Sequence, residues 1–382
     1  MIKENDLRTI PWWYVNVGPA AAQAAYEAVG SGKLTMGGIC RSFEERIASI
    51  LDVPHVVSTS SGTAALTLAL LEAGVGPGTE VIIPDQTWIA TGHAPMLLGA
   101  DVVLADVEKD KRVLDPQAFA RAITPRTRAV IPVHLNGKAA DMPAIRALAA
   151  SHDIVVIEDA AQAFTSRSSE GWLGTNSHCG CFSLSVGKFV TSGQGGYVVT
   201  CDDERARRLR LARIHGTTDI YAPNWEIKGG NFRFWDLPAA IALTQLDMME
   251  SKRGSLKELY LHYRSELKNL ERLRVVEFDL EAGELPLYVE CMSEERDSLI
   301  SFLSLKGIQC RTQYAPLHNV PHFVPTVGGF GAMTEKSAFE ERYPNSLHFG
   351  RECFVLPCGP DRQAWEIETT IKAIREWHTT VR

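Results

Sequence analysis

Three short segments of this chain carry residue types that could act together on one small molecule. The first is Ser60-Ser61-Gly62-Thr63-Ala64-Ala65-Leu66, at the entrance to an Ala- and Leu-rich stretch that reads as a helix over 63–72. The free N–H groups and positive end of such a helix attract an anion. Gly62 lets a phosphate approach the backbone, and Thr63 adds a hydroxyl donor. Taken alone, the same residues read equally well as a plain serine N-cap. The second segment, 154–162, is an apolar strand that delivers Asp159 to its carboxyl end, with Gln162 three residues on. A carboxylate there can pair with a pyridine nitrogen and keep it protonated, which makes the ring an electron sink. Gln162 is spaced to hydrogen-bond a ring hydroxyl. The bland alternative is that Asp159 caps the next helix. The third segment, 182–196, sets Lys188 after a short strand and before Gly193, Gly195 and Gly196. A partly desolvated lysine loses its proton and attacks an aldehyde. Ser183, five residues earlier, offers a hydroxyl to a phosphate. A lone lysine is more often a solvated surface residue, so Lys188 draws its meaning from its companions.

These residues can meet only if their strands share a sheet, because open α/β sheets bind ligands at the carboxyl ends of their strands. The pattern from about 56 to 200 supports that. Strands are expected over 81–84, 102–107, 129–134, 154–158, 181–185 and 197–200, with helices over 63–72 and 141–150 between them. Apolar strands alternating with helices imply a mostly parallel sheet in a three-layer α/β domain. After Ala240 the pattern changes to long polar helices over 243–270 and a strand over 285–289. The expected organisation is an N-terminal segment (1–30), a large domain (31–249) and a smaller α+β domain (250–382), since 382 residues exceed one compact unit.

Composition narrows the function classes. Apolar residues are 45% and charged residues 22%, an ordinary globular balance. The net charge of −7 argues against a nucleic-acid surface. The start, MIKENDLRTI, has no apolar stretch behind a basic one, so it does not read as a signal peptide. The longest apolar segment, around 64–71, is too short to span a bilayer. Eight scattered cysteines form no C-x-x-C pair; Cys179 and Cys181 read as buried strand thiols rather than metal ligands. No metal site is expected, and a reducing cytoplasm is. The glycines at 74, 76 and 78 lie after a helix and before a strand, the wrong order for a dinucleotide fingerprint. Neither H-E-x-x-H nor G-x-S-x-G occurs.

Taken in order and spacing, the segments resemble the DegT/StrS-type sugar aminotransferases, a branch of the fold-type I enzymes that use pyridoxal 5'-phosphate. The resemblance runs from about Gly37 to at least His318. The family's S-G-T-x-A-L segment matches Ser61 to Leu66, and its D-x-A-Q matches Asp159 to Gln162. Its S-F-x-x-x-K matches Ser183 to Lys188, with Leu184 in place of the aromatic residue. Its G-E-G-G becomes Gly193-Gln194-Gly195-Gly196. Its N-x-R, A-A and Q-L match Asn231, Arg233, Ala239-Ala240 and Gln245-Leu246, and its Y-x-P-L-H matches Tyr314 to His318.

The resemblance implies that Lys188 forms the Schiff base with the cofactor. By the same resemblance Asp159 pairs with the pyridine nitrogen, Gln162 sits near the ring oxygen, and Gly62, Thr63 and Ser183 hold the phosphate. Trp88 matches the family's aromatic residue stacked on the ring, although on its own it reads as a core Trp just as well. Asn231 is expected to reach a partner subunit's phosphate, which makes the protein a homodimer with shared sites. The implied reaction moves nitrogen from glutamate or glutamine to a keto sugar, usually nucleotide-linked, or to a ketocyclitol. Two departures bear on the site: Gln194 removes a charge near the lysine loop, and Leu184 is expected to reshape one wall. Family dehydratases carry His where this chain keeps Lys188, which favours transamination. An aminohydroxybenzoate-forming dehydratase and a non-catalytic regulator are the alternatives. The acceptor loops, 11–14, 221–228 and 311–318, do not reveal the substrate.

Overall fold

Strands that are apolar on both faces need cover on both, and the chain supplies it. The computed structural model describes residues 9–32, 34–219, 221–323 and 340–380. Two helices lead, α1 (Gly18–Gly30) and α2 (Gly38–Leu51), followed by β1 (His55–Thr59), α3 (Gly62–Glu72), β2 (Glu80–Pro84) and α4 (Ala90–Leu97). Next come β3 (Asp101–Ala105), α5 (Pro116–Ala122), β4 (Thr127–Val130), α6 (Met142–Ala150) and β5 (Val155–Asp159). A small hairpin, β6 (Arg167–Ser168) and β7 (Gly171–Trp172), precedes β8 (Cys179–Ser183), β9 (Gly196–Thr200) and α7 (Asp203–Arg213). The seven-stranded sheet has the order β1-β9-β8-β5-β4-β2-β3. Pairs along β3, β2, β4, β5 and β8 are parallel. Only β9 runs against its neighbours, β8 and β1.

Alternation along the strands splits the cover into two layers. Ile82, Val130 and Val156 pack with Phe119 of α5 and Ile145 of α6. Val81, Ile83, Ala129 and Ile157 pack on the other face with Leu66 and Leu70 of α3 and Leu209 of α7. This is the three-layer, mostly parallel α/β fold expected. Cys179 and Cys181 are buried on β8, and burial pushes both thiols up.

The chain continues through α8 (Asp236–Asp247) and α9 (Met249–Leu267), then β10 (Arg274–Val275), β11 (Glu290–Met292), α10 (Arg296–Leu305) and β12 (Arg311–Thr312). It closes with α11 (Pro344–Glu352), β13 (Cys353–Val355) and α12 (Ala364–Thr380). The four short strands form an antiparallel sheet, β10-β11-β13-β12. Tyr260, Tyr263, Leu303 and Trp377 cover it, and their cluster runs on without a break into Phe43, Phe182 and Tyr197.

Two readings need correction. The strand expected over 285–289 is not one; β11 begins at Glu290. Leu285, Leu287, Tyr288 and Val289 are buried because they fill the join between the two sheets, not because they sit in a ladder. Side chains bind their backbone instead: Ser166 Oγ accepts from Leu285 N, and Asn136 Oδ1 accepts from Tyr288 N. The polar stretch over 243–270 is two helices that meet at Met248.

Beneath the end of β5 lies a buried brace. Glu158 accepts from His134 Nε2 at 2.8 Å, Gly174 N at 2.9 Å and Asn176 N at 2.9 Å. His134 Nδ1 accepts from Ala140 N, which leaves Nε2 to donate to Glu158. Burial pushes the Glu158 carboxyl up, but the His134 and Gly174 hydrogen bonds outweigh it and hold the group below its ordinary range. The brace is therefore intact above that range and is lost as pH falls through the lowered value. Glu158→Ala strands three buried donors and is expected to cost about 3 kcal/mol or more, read as a lower urea midpoint; an unchanged midpoint would show the brace to be dispensable.

Candidate active site

Three strand ends and one helix start meet at a cleft of about 390 Å³, within the usual range for a small-molecule site. Gly62, Thr63, Trp88, Asp159, Gln162, Ser183 and Lys188 all line it. Parallel β5 and β8 put Asp159 and Ser183 at the same edge of the sheet, and Ser61 opens α3 beside them.

At one end of the cleft, Ser61 Oγ accepts from Ala64 N at 3.0 Å, so the N-cap reading of this segment holds. The cap leaves the Gly62 and Thr63 N–H groups without protein acceptors among the described residues, so they remain available to an anion. A Cβ on Gly62 would lie 2.8 Å from Ser183 Cβ and 3.2 Å from its Oγ. Only glycine lets α3 close up on β8, which brings backbone N–H groups and the Ser183 hydroxyl to one cradle.

Asp159 is buried at the centre. Its Oδ2 accepts from Thr91 Oγ1 at 2.8 Å, and its Oδ1 from Ala161 N at 3.1 Å. Burial pushes its carboxyl up against the pull of these bonds and of Lys188. It forms no ion pair among the described residues, so a cationic N–H donor would complete it.

Lys188 opens to the cleft from a loop pinned at two carbonyls. Tyr288 Oη donates to Gly187 O at 2.7 Å, and Trp13 Nε1 donates to Val186 O at 2.9 Å. Burial lowers the Lys188 pKa to about 8, with Asp159 opposing and Arg311 assisting. An amine so placed has a far larger neutral fraction near physiological pH than an ordinary lysine, and the neutral form is the one that attacks an aldehyde.

Gln162 is fixed at both ends: Oε1 accepts from Asn136 N at 2.9 Å, and Nε2 donates to Tyr314 Oη at 3.0 Å. One amide hydrogen remains. Asn136 adopts φ +56°, a left-handed conformation that an Asn tolerates, and so serves Gln162 and Tyr288 together. Trp88 stands half-exposed at the mouth, edge-on to Tyr314 with centroids 5.4 Å apart. It is not a core residue.

Asn231 lies outside the cleft. It is exposed, and its Oδ1 accepts from Arg233 Nε at 2.9 Å. Leu184 is buried in the core beneath the lysine loop and does not line the cleft, so the expected change to the wall is instead a change in packing below it. Gln194 does line the cleft. Sequence reasoning missed Thr91, Asn136 and Tyr288, and named Arg311 only as part of an acceptor loop. Thr91 meets Asp159 across 68 residues, a pairing no local pattern announces.

Residues 16–375 match the model of the DegT/DnrJ/EryC1/StrS aminotransferase family. The chain belongs to that family. It is 35% identical over 356 residues, covering 93% of this chain and 91% of the relative, to a dTDP-3-amino-3,4,6-trideoxy-alpha-D-glucose transaminase of Streptomyces venezuelae. The crystal structure of S. venezuelae DesV in complex with a ketimine intermediate is similar at TM-score 0.88 and 34% identity, covering 98% of this chain and all of the other. A 3-amino-5-hydroxybenzoic acid (AHBA) synthase structure is similar at TM-score 0.85 and 28% identity, over 98% of this chain and 100% of that one.

The protein is therefore an aminotransferase, and its cofactor is pyridoxal 5'-phosphate. The cleft fits that group on its own terms. It offers an anion cradle that a single Cβ would fill, a buried carboxylate with no ion-pair partner among the described residues, and an amine whose pKa burial has lowered.

Gly62→Ala is expected to force α3 off β8 at a cost of about 1–3 kcal/mol. Denaturant unfolding checks the stability, and equilibrium dialysis of pyridoxal phosphate checks the cradle, with weaker retention expected. Unchanged retention would place the phosphate elsewhere.

Proposed function

We propose that this enzyme transfers the amino group of glutamate or glutamine to a keto sugar, nucleotide-linked in the first instance, or to a ketocyclitol. The observation that carries the reading is the neutral-prone Lys188 sharing one cleft with the cation-free Asp159 carboxylate. Identity to a nucleotide-sugar transaminase over most of the chain supports the acceptor class.

The residues divide the work. Lys188 holds the cofactor aldehyde, and its Nζ moves the proton at the substrate carbon that bears nitrogen. Asp159, steadied by Thr91 and Ala161, keeps a proton on the pyridine nitrogen. Gly62, Thr63 and Ser183 bind the phosphate, and Gln162 offers its remaining amide hydrogen to the ring oxygen. Trp88 covers a ring face. When bound, pyridoxal phosphate supplies the electron sink and stores the nitrogen between half-reactions.

Asn231 serves a second copy of the chain. Its exposure outside its own cleft is what such a role needs, and it makes the working unit a homodimer with shared sites. The large domain spans 31–249 and the small one 250–382, with 1–30 as a leading segment. All eight cysteines are free, which suits a reducing cytoplasm. The partners are small molecules, with no nucleic acid and no membrane; no described helix is long and apolar enough to cross a bilayer.

Two measurements test this. With glutamate or glutamine alone, the visible absorption of the yellow holoenzyme is expected to fade and stay faded, and a suitable keto sugar or ketocyclitol to restore it. If no amino donor has this effect while an aminated cyclic substrate is dehydrated, the dehydratase reading replaces this one. Separately, cofactor uptake by the apoenzyme is expected to accelerate with rising pH, half-maximally near pH 8, because only the neutral Lys188 amine reacts. A midpoint near 10.5, the ordinary lysine value, would mean that Lys188 is solvated.

A further inference from the structure

Lys188 and Arg311 are the two cations among the described residues that line the cleft. Lys188 is committed to the cofactor. Arg311 is committed to nothing polar: its guanidinium makes no hydrogen bond or ion pair among the described residues, although it is only partly exposed. Three rings surround it. Its central carbon lies 4.8 Å from the Trp12 ring centroid, 5.1 Å from Tyr314 and 5.8 Å from Trp88. A planar guanidinium stacks on such rings and still presents its fork of N–H donors at the edge, which an ammonium could not do. The cage is itself fixed. Tyr314 receives a hydrogen bond from Gln162, and Trp12 is tied by Cys358 N donating to its carbonyl at 2.8 Å.

We propose that Arg311 binds the α-carboxylate of the amino-acid donor. The inference rests on the transaminase reading above. A site running two half-reactions must admit an anionic amino acid and then a ketone with no charge near the reacting carbon. An α-carboxylate is bonded to the carbon that carries the nitrogen, so its receptor has to stand close to Lys188. Arg311 lines the same cleft as Lys188, near enough for its charge to act there. A nucleotide diphosphate is separated from the keto carbon by a sugar ring, so it belongs farther out. In the donor half-reaction the guanidinium fork takes the carboxylate in two parallel hydrogen bonds. In the acceptor half-reaction the aromatic cage alone steadies the charge, so an empty carboxylate site does not leave a bare buried cation. The cleft thus admits both substrates in turn without Arg311 having to leave it.

The test separates the half-reactions in the holoenzyme. In Arg311→Gln, the concentration of glutamate or glutamine that half-saturates the fading of the visible band is expected to rise about 10- to 100-fold, the worth of a charge-assisted pair. Acceptor turnover is read separately, after loading the apoenzyme with pyridoxamine phosphate and adding the ketone. It is expected to stay within about threefold of wild type. Arg311→Lys keeps the charge but loses the fork, and is expected to recover only part of the donor affinity. Normal uptake of pyridoxal phosphate, with its visible band, shows that each variant is folded. Unchanged donor saturation in Arg311→Gln overturns the proposal, as does equal damage to both half-reactions. If the wild-type band responds to no amino donor, the transaminase reading fails first and takes this inference with it.

Discussion

A carboxylate and an amine share one cleft here without neutralising each other. Asp159 and Lys188 feel each other's charge, yet no ion pair forms between them among the described residues. Burial works on the two in opposite directions, pushing the acid up and the amine down. Each is left short of a partner, and the missing partners are of the kinds that pyridoxal phosphate provides: a ring N–H for the acid and an aldehyde for the amine. The rest of the structure can be understood as the means of holding this unsatisfied pair in place.

That holding falls to layers behind the cleft. Thr91 at the start of α4 and the Ala161 N–H restrain Asp159, and the His134–Glu158 brace fixes the strand just before it. Asn136 ties Gln162 to the backbone of Tyr288, and the Tyr288 hydroxyl ties back to the loop that carries Lys188. Gln162 and the lysine loop thus belong to one hydrogen-bonded framework that spans both sheets. Asn136 and the adjacent Gly137 both take left-handed conformations, which their residue types tolerate.

The mouth of the cleft follows a different logic. It is built from large aromatic rings and one arginine rather than from a dense polar network. Trp12 comes from the first described residues, Trp88 from the loop after β2, and Arg311 and Tyr314 from β12 and the loop beyond it. Such a rim offers broad apolar faces to a sugar ring and a single charge to an anion. It suits an enzyme that must accept two chemically unlike substrates in turn.

Sequence alone determined the chemistry. Ser61 to Leu66, Asp159 to Gln162 and Ser183 to Lys188 are local patterns, each written within a few residues at a strand end or helix start. Continuous apolar runs and Ala-rich helices likewise made the parallel sheet legible, because burial on both faces leaves its mark on every strand residue. What the sequence misjudged, it misjudged for a physical reason. The run from Leu285 to Val289 is apolar because it fills a junction, and burial by itself does not distinguish a junction from a strand. Only the tertiary structure could bring Thr91 to Asp159, Asn136 to Tyr288 and Arg311 into its cage of rings. These contacts join residues tens to hundreds of positions apart, and nothing in a short stretch of chain encodes which distant side chain will complete its hydrogen bonds once the sheets have packed.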